Sequence, residues 1–311
     1  MEQSHSAVQE QAVTTLPAQD EPLAVVAPAV QSAATVSAQT CPTCGTAPAA
    51  NVEMASPSWV YAVGRIEARF PSVSVEKEVV QATSRSDAKG LTDRQTLQAV
   101  LSKPENRYLA RQMCWVMSIE GLETYILVPR DLSDISLLVD ALRTTPQPWD
   151  LDVVIGRKGP IASPQMCNGL MVPIVIFDQI YSFDRETLIK SIPRPEKTSA
   201  KEFAPAAEEL FDRIMQMTDN AGATDDYRAL NYLAMRYHAI YAKAAEYFAH
   251  NHSLTGVYVN PSALGSTRNI VEVVFAYTNR NTDVVDKCFV RVDVTDEFPF
   301  LATKLSPYYD R

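Results

Sequence analysis

The chain has 311 residues, of which 46% are hydrophobic and 21% charged, and it carries a formal net charge of −9. That length accommodates one large domain or two small ones, and the composition excludes a collagen, a disulfide-rich toxin scaffold and a wholly disordered chain. The charge is uneven, because residues 1–55 hold 13 alanines and five acids but no Lys, Arg or aromatic residue. With no basic run elsewhere, nucleic acid is not an expected partner.

Residues 1–40 are rich in Ala, Val, Gln, Ser and Pro without periodicity, and they predict a disordered arm that cannot bury enough area to offset its ordering entropy. No stretch of about 18 uncharged apolar residues exists, so no membrane-spanning helix is predicted. The first residues lack a basic region followed by an apolar run, so no secretory signal is predicted. The expected setting is the cytoplasm, where cysteines serve metals or the core rather than disulfides.

From Ser58 the chain alternates between strand and helix signals. SWVYAVGRI (58–66) reads as a strand of aromatic and β-branched residues. Thr92 with Gln95 forms a capping box, and Leu97, Val100 and Leu101 give the following helix an apolar face that ends at Pro104. CWVMSIE (114–120) and ETYILVP (123–129) read as a hairpin through Gly121 and Leu122. Ile135, Leu138, Val139 and Leu142 fall at helical spacing. LDVVIG (151–156) and LMVPIVIF (170–177) read as buried strands, the second demoted towards an edge by Pro173.

The middle of the chain predicts two antiparallel helices. Ser199 with Glu202 forms a second capping box ahead of Phe203, Leu210, Phe211, Ile214 and Met217. A turn containing Gly222 leads to a longer helix after Thr224, with Leu230, Leu233, Tyr237, Tyr241, Ala244 and Phe248 on one side. The chain then returns to strand: Val271, Val273, Phe275 and Tyr277 share one face, and Cys288, Val290, Val292 and Val294 share another, joined by NRNTD (279–283). The sum is an α+β fold: a mixed or antiparallel sheet, a central helical pair and a C-terminal β-hairpin, preceded by a disordered N-terminal arm.

Among chemical motifs, CPTCG (41–45) is the most specific, because Cys-x2-Cys in a tight turn presents two thiolates to one metal. The pair supplies half a tetrahedral zinc site in a linker at 41–56. The other ligands must come singly, and Cys167 and Cys114 lead, while Cys288 reads as core. The expected set for a structural zinc is therefore Cys41, Cys44, Cys114 and Cys167. His250 and His252 read as a polar helix end, His238 as a packed or surface residue, and His5 lies in the arm. Asp178 and Asp184 are a candidate carboxylate pair, with strand-end and helix-cap roles as the commoner alternative. Arg194, Glu196 and Lys197 read as exposed loop charge. Gly-x-Ser-x-Gly, Gly-x4-Gly-Lys-Ser/Thr and Gly-x-Gly-x2-Gly are all absent, so no catalytic residues and no nucleotide cradle are predicted.

Five collinear stretches resemble one known family: VYAVGRIEARFPSVSVEKE (60–78), NRYLARQMCWVMSIEGLETYILVPRD (106–131), CNGLMVPIVIFDQIYSFDRE (167–186), AEELFDRIMQMTDNAGATDDYRALNYLA (207–234) and the end at 277–311. Residues 57–311 are similar to the C-terminal domain of unknown function of the cyanobactin maturation proteases PatG and PatA. The resemblance implies a role in making ribosomally synthesised, post-translationally modified peptides. In that family the protease triad resides in a separate subtilisin-like domain, so no catalytic residue carries over. The expected function is a non-catalytic accessory module that binds precursor peptide or a partner maturation enzyme, with no nucleic-acid or membrane partner and a possible homo-oligomer. An exposed edge at 170–177 would suit β-strand addition. The alternatives are a metal-dependent peptide-modifying enzyme, built around Asp178, Asp184 or a histidine, and a self-associating structural subunit.

Overall fold

The structure, a computed structural model, describes residues 58–84, 92–194, 200–265 and 267–309. The chain divides into units of residues 1–53 and 54–311, and every described residue belongs to the second. The arm, the CPTCG turn and Ser199 of the second capping box lie outside the described residues.

Five strands close into a barrel: β1 (Trp59–Arg69), β2 (Cys114–Ile119), β3 (Leu122–Pro129), β4 (Asp150–Ile161) and β5 (Pro173–Asp184), in the order β1-β2-β3-β5-β4. All pairs are antiparallel except β3 with β5. The predicted β2–β3 hairpin forms, with Glu120 and Gly121 both at positive φ in its turn. Pro173 does not make an edge. It opens β5, where its missing amide costs nothing, and β5 lies inside the barrel between β3 and β4.

Strand β1 changes partners midway. Trp59–Gly64 pair with β4, and Arg65–Arg69 pair with β2. Gly64 stands at the change, where a Cβ would run into the Ser118 carbonyl of β2. Alternation of its side chains then divides two cores. Val60, Ala62 and Ile66 join Trp115, Met117, Tyr125, Leu127, Val154 and Phe177 in the barrel interior. That core continues into α1 (Val73–Ser84), α2 (Asp93–Leu101), α3 (Arg107–Gln112) and α4 (Ile135–Ala141). The capping box of α2 forms as predicted, with Thr92 and Gln95 bonding each other's backbone amides.

Tyr61, Val63, Val153 and Ile155 point the other way, into a second core with three helices and a second sheet. The helices, following a short α5 (Arg185–Ser191), are α6 (Ala200–Met215), α7 (Asp225–Arg236) and α8 (Ala239–Ala249). The single long helix predicted after Thr224 is thus two. Tyr237 leaves helical geometry (φ −111, ψ 85) and turns its hydroxyl to accept from Leu305 N at 3.0 Å, so the break is fixed by a partner distant in sequence. The Gly222 turn docks on the barrel, where Tyr61 N donates to the Gly222 carbonyl at 2.8 Å. Beneath it Asn231, fully buried, bonds the Tyr61 carbonyl and exchanges amide hydrogen bonds with Asn220.

The second sheet is antiparallel, β6 (His252–Pro261), β7 (Ile270–Asn279), β8 (Val285–Asp293) and β9 (Phe300–Pro307) in that order. The predicted β7–β8 hairpin is its centre, with Phe275 opposite Cys288 and Val273 opposite Val290. Among the described residues no helix is long and apolar enough to cross a membrane.

Candidate functional site

The change of partner in β1 creates a groove. Pairing of β1 with β4 ends at Gly64 opposite Asp152, and β4 itself begins at Asp150, after the turn through Pro146 and Pro148, so among the described residues no strand lies beside β1 on that side beyond Ile66. Three adjoining cavities of about 620, 330 and 580 Å³ follow the exposed stretch. Arg65, Glu67 and Pro148 line both the first and the second, and Glu67 and Arg94 line both the second and the third.

The first cavity lies between the barrel and α6. Val63, Leu151, Phe211 and Met215 give it an apolar lining, and Trp149, 39% exposed, stands at its rim. Arg69 pairs with Glu123, and Arg185 pairs with Asp212 at 2.8 Å. Arg65 donates to the Pro148 carbonyl. The second cavity is polar. Asp152, 4% exposed, accepts from Ile66 N at 2.8 Å and from the Ser182 hydroxyl at 2.6 Å. Burial pushes its carboxyl above the usual range, against the pull of these bonds and of Arg143. Asp150 accepts from Gln147 N at 2.7 Å and lies 3.6 Å from Arg143. Arg94 donates to the Arg143 carbonyl at 2.8 Å.

The candidate pair Asp178 and Asp184 is not a pair. Asp184 caps α5 through Thr187 N and the Thr187 hydroxyl, and these bonds hold its pKa below the usual value. Asp178 instead binds Arg130 at 2.6 Å and meets Glu297, carboxyl to carboxyl. Burial, the hydrogen bond to Asp178 and its charge push Glu297 up to about 7, opposed by Arg130 and Arg228. Asp178 Oδ2 and Glu297 Oε1 are both buried without a hydrogen-bond partner, so a proton held on Glu297 would relieve the repulsion between the two carboxylates. Arg228, 2% exposed, holds the same turn by donating to the carbonyls of Val294 (2.6 Å), Asp296 and Glu297 (3.3 Å).

The structure brings Cys114 and Cys167 together and joins them to each other in a disulfide, Cα–Cα 5.5 Å, that fastens the loop before β5 to β2. This corrects the expectation that the cysteines avoid disulfides. Bonded so, neither sulfur is a thiolate that a metal could take. The other members of the expected zinc set, Cys41 and Cys44, lie outside the described residues. Cys288 is buried core as expected, its thiol pushed up to about 12 by burial. Among the described residues no three His, Cys, Asp or Glu side chains cluster as a metal site. His250 caps the end of α8, its ring against the Glu246 carbonyl at 2.7 Å, while His252 turns to Asp286 at 3.2 Å. His238 begins α8. Arg194 is exposed, and Glu196, Lys197 and His5 lie outside the described residues.

Reading the sequence missed Arg65, Arg94, Trp149, Glu297 and Arg228. The one local signal was PQPW (146–149), where two prolines hold a tryptophan in a turn.

Comparison with known proteins fits this architecture. Residues 197–308, from α6 to β9, match the family model described as PatG C-terminal. A solved structure titled "PatG Domain of Unknown Function" superposes with a TM-score of 0.66, covering 81% of this chain and 98% of that chain at 17% identity, a likeness of fold that extends through the barrel. No curated protein matches.

Proposed function

We propose that this PatG C-terminal-like domain is a binding module in cyanobactin-type peptide biosynthesis, taking precursor peptide or a segment of a partner maturation enzyme into the groove along β1. The observation that carries this reading is the first cavity, about 620 Å³, apolar within and edged by Arg65, Arg69, Arg185, Glu123 and Asp212. Apolar walls with a few fixed charges suit an extended chain, whose side chains need burial and whose backbone needs polar partners. The groove also replaces the 170–177 edge as the docking place, since β5 is enclosed on both sides. A structural zinc on Cys41 and Cys44 stays part of the proposal, with its remaining ligands unassigned. Metal analysis of the purified chain tests it: loss of bound zinc in Cys41→Ser with Cys44→Ser is expected, and metal-free wild-type protein contradicts it.

Titration of the chain with a cyanobactin-type precursor peptide, followed by Trp149 fluorescence, tests the binding. Saturable binding is expected, weakened at least tenfold by Met215→Glu with unfolding temperature unchanged. Absence of saturable binding to the precursor peptide and to cyanobactin-type maturation enzymes contradicts the proposal.

A further inference from the structure

The four-stranded sheet has two edges, and they differ. Tyr237 holds β9 from outside, whereas β6 pairs with β7 alone. Register shows which main-chain groups of β6 are left over. Ser262 N donates to the Ile270 carbonyl at 2.8 Å, so beyond the bulge at Leu254–Gly256 the even-numbered residues of β6 bond β7. The amides and carbonyls of Val257 and Val259 therefore point out of the sheet, and among the described residues they have no partner.

Edges of this kind are commonly blunted by charged side chains. Here residues 253–267 hold no Asp, Glu, Lys or Arg. The side chains of Val257 and Val259 lean on the core shared with the helices, which turns Tyr258 to the opposite face. Tyr258 is 54% exposed at the centre of the free stretch. Its ring lies across Gly256, where a Cβ would come within 2.7 Å of it.

The edge matches itself. Antiparallel pairing of two copies about Tyr258 sets Val257 of each opposite Val259 of the other, and each such pair exchanges amide and carbonyl in both directions. Tyr258 then meets its twin at a non-hydrogen-bonded position, where side chains come closest. Further out, Thr255 faces Pro261. The Thr255 carbonyl already accepts from Arg213 at 3.5 Å, and Pro261 has no amide to offer it. A two-fold sets this edge against its own sequence, an arrangement that a stretch without charge tolerates.

We propose that a second copy of the chain adds its β6 antiparallel to this one, joining the two four-stranded sheets about a two-fold at Tyr258. The edge belongs to the sheet and the peptide groove to the barrel, so pairing of copies and binding of precursor are measured independently. A short strand pairing buries less than a standard interface, so the dimer is weak and concentration-dependent.

Light scattering of the full chain at rising concentration tests this, and its mass is expected to climb from monomer towards dimer. Tyr258→Lys and Tyr258→Glu each set like charges opposite each other and should each weaken the dimer at least fivefold. An equimolar mixture of the two variants should restore it, because opposite charges then meet across the two-fold. Circular dichroism checks that both variants fold. Amide exchange needs no variant: Val257 and Val259 should exchange fast in dilute chain and slow at least fivefold as dimer forms, with Gly256 and Tyr258 slow throughout. A chain that stays monomeric up to about 1 mM overturns the proposal. A dimer unaffected by Tyr258→Lys, or mixed variants that stay monomeric, places the contact elsewhere and overturns it as well. So does a dimer in which Val257 and Val259 exchange as fast as in the monomer.

Discussion

The barrel and the four-stranded sheet differ in a direction opposite to their topology. The sheet is open, so its edge strands ought to be available, yet β9 is engaged from outside. Tyr237, at the break between α7 and α8, accepts from Leu305 N at 3.0 Å. The barrel is closed, yet its β1–β4 pairing ends at Gly64 opposite Asp152, and among the described residues no strand pairs with β1 on that side beyond it. Closure of a strand order therefore does not locate the free edges; register does. Each region also has its own fastener, a disulfide in the barrel and a buried arginine at the sheet.

Removing those fasteners separates the two regions. Cys114→Ser with Cys167→Ser opens a closed loop of 53 residues. Chain entropy puts the cost at about 4 kcal/mol. Denaturant unfolding measures it, and amide exchange should rise first in β2 and the loop before β5, with β7 and β8 unchanged. Arg228→Met should cost about 3 kcal/mol, because it leaves the carbonyls of Val294, Asp296 and Glu297 without donors. Here exchange should rise at the β8–β9 connection and spare the barrel.

Glu297 links the two regions, and its effect is a slope against pH. Its folded pKa, about 7, is raised above the ordinary glutamate value, so the folded state holds the proton more tightly than the unfolded state. Stability from this group is complete below the ordinary glutamate value and is lost as pH rises through about 7. Glu297→Gln should flatten unfolding temperature between pH 5 and 7; an unchanged slope would show that protonation of Glu297 does not contribute to stability there. Asp184, with a lowered pKa, acts in the opposite sense and at lower pH. The smallest effect is expected from Thr92→Ala, which removes the cap of α2 at a cost of about 1 kcal/mol.

What could be read from the sequence was local. The alternation of Cys288, Val290 and Val292, the Thr92 capping box and the Gly121 turn each need only a few neighbouring residues, and each took the predicted form. Strand β6 escaped because its bulge between Leu254 and Gly256 puts Leu254 and Val257 on one core at a spacing of three, which breaks the period of two. The break at Tyr237 and the Asp178–Glu297 contact depend on partners in β9 and the turn before it, which no local pattern announces. The groove escaped for the same reason. An unpaired edge is a property of where a distant strand begins, and Arg65 and Arg94 look like ordinary surface charges until that strand is in place.

Amide exchange at Ala68, with and without the precursor peptide, tests the central claim, that the groove along β1 binds an extended chain, most directly. The account predicts fast exchange at Ala68, whose amide has no partner among the described residues, between slow Glu67 and Arg69 in the free chain, and protection of Ala68 when the peptide saturates. Slow exchange at Ala68 in the free chain, or no change on saturation, would contradict it.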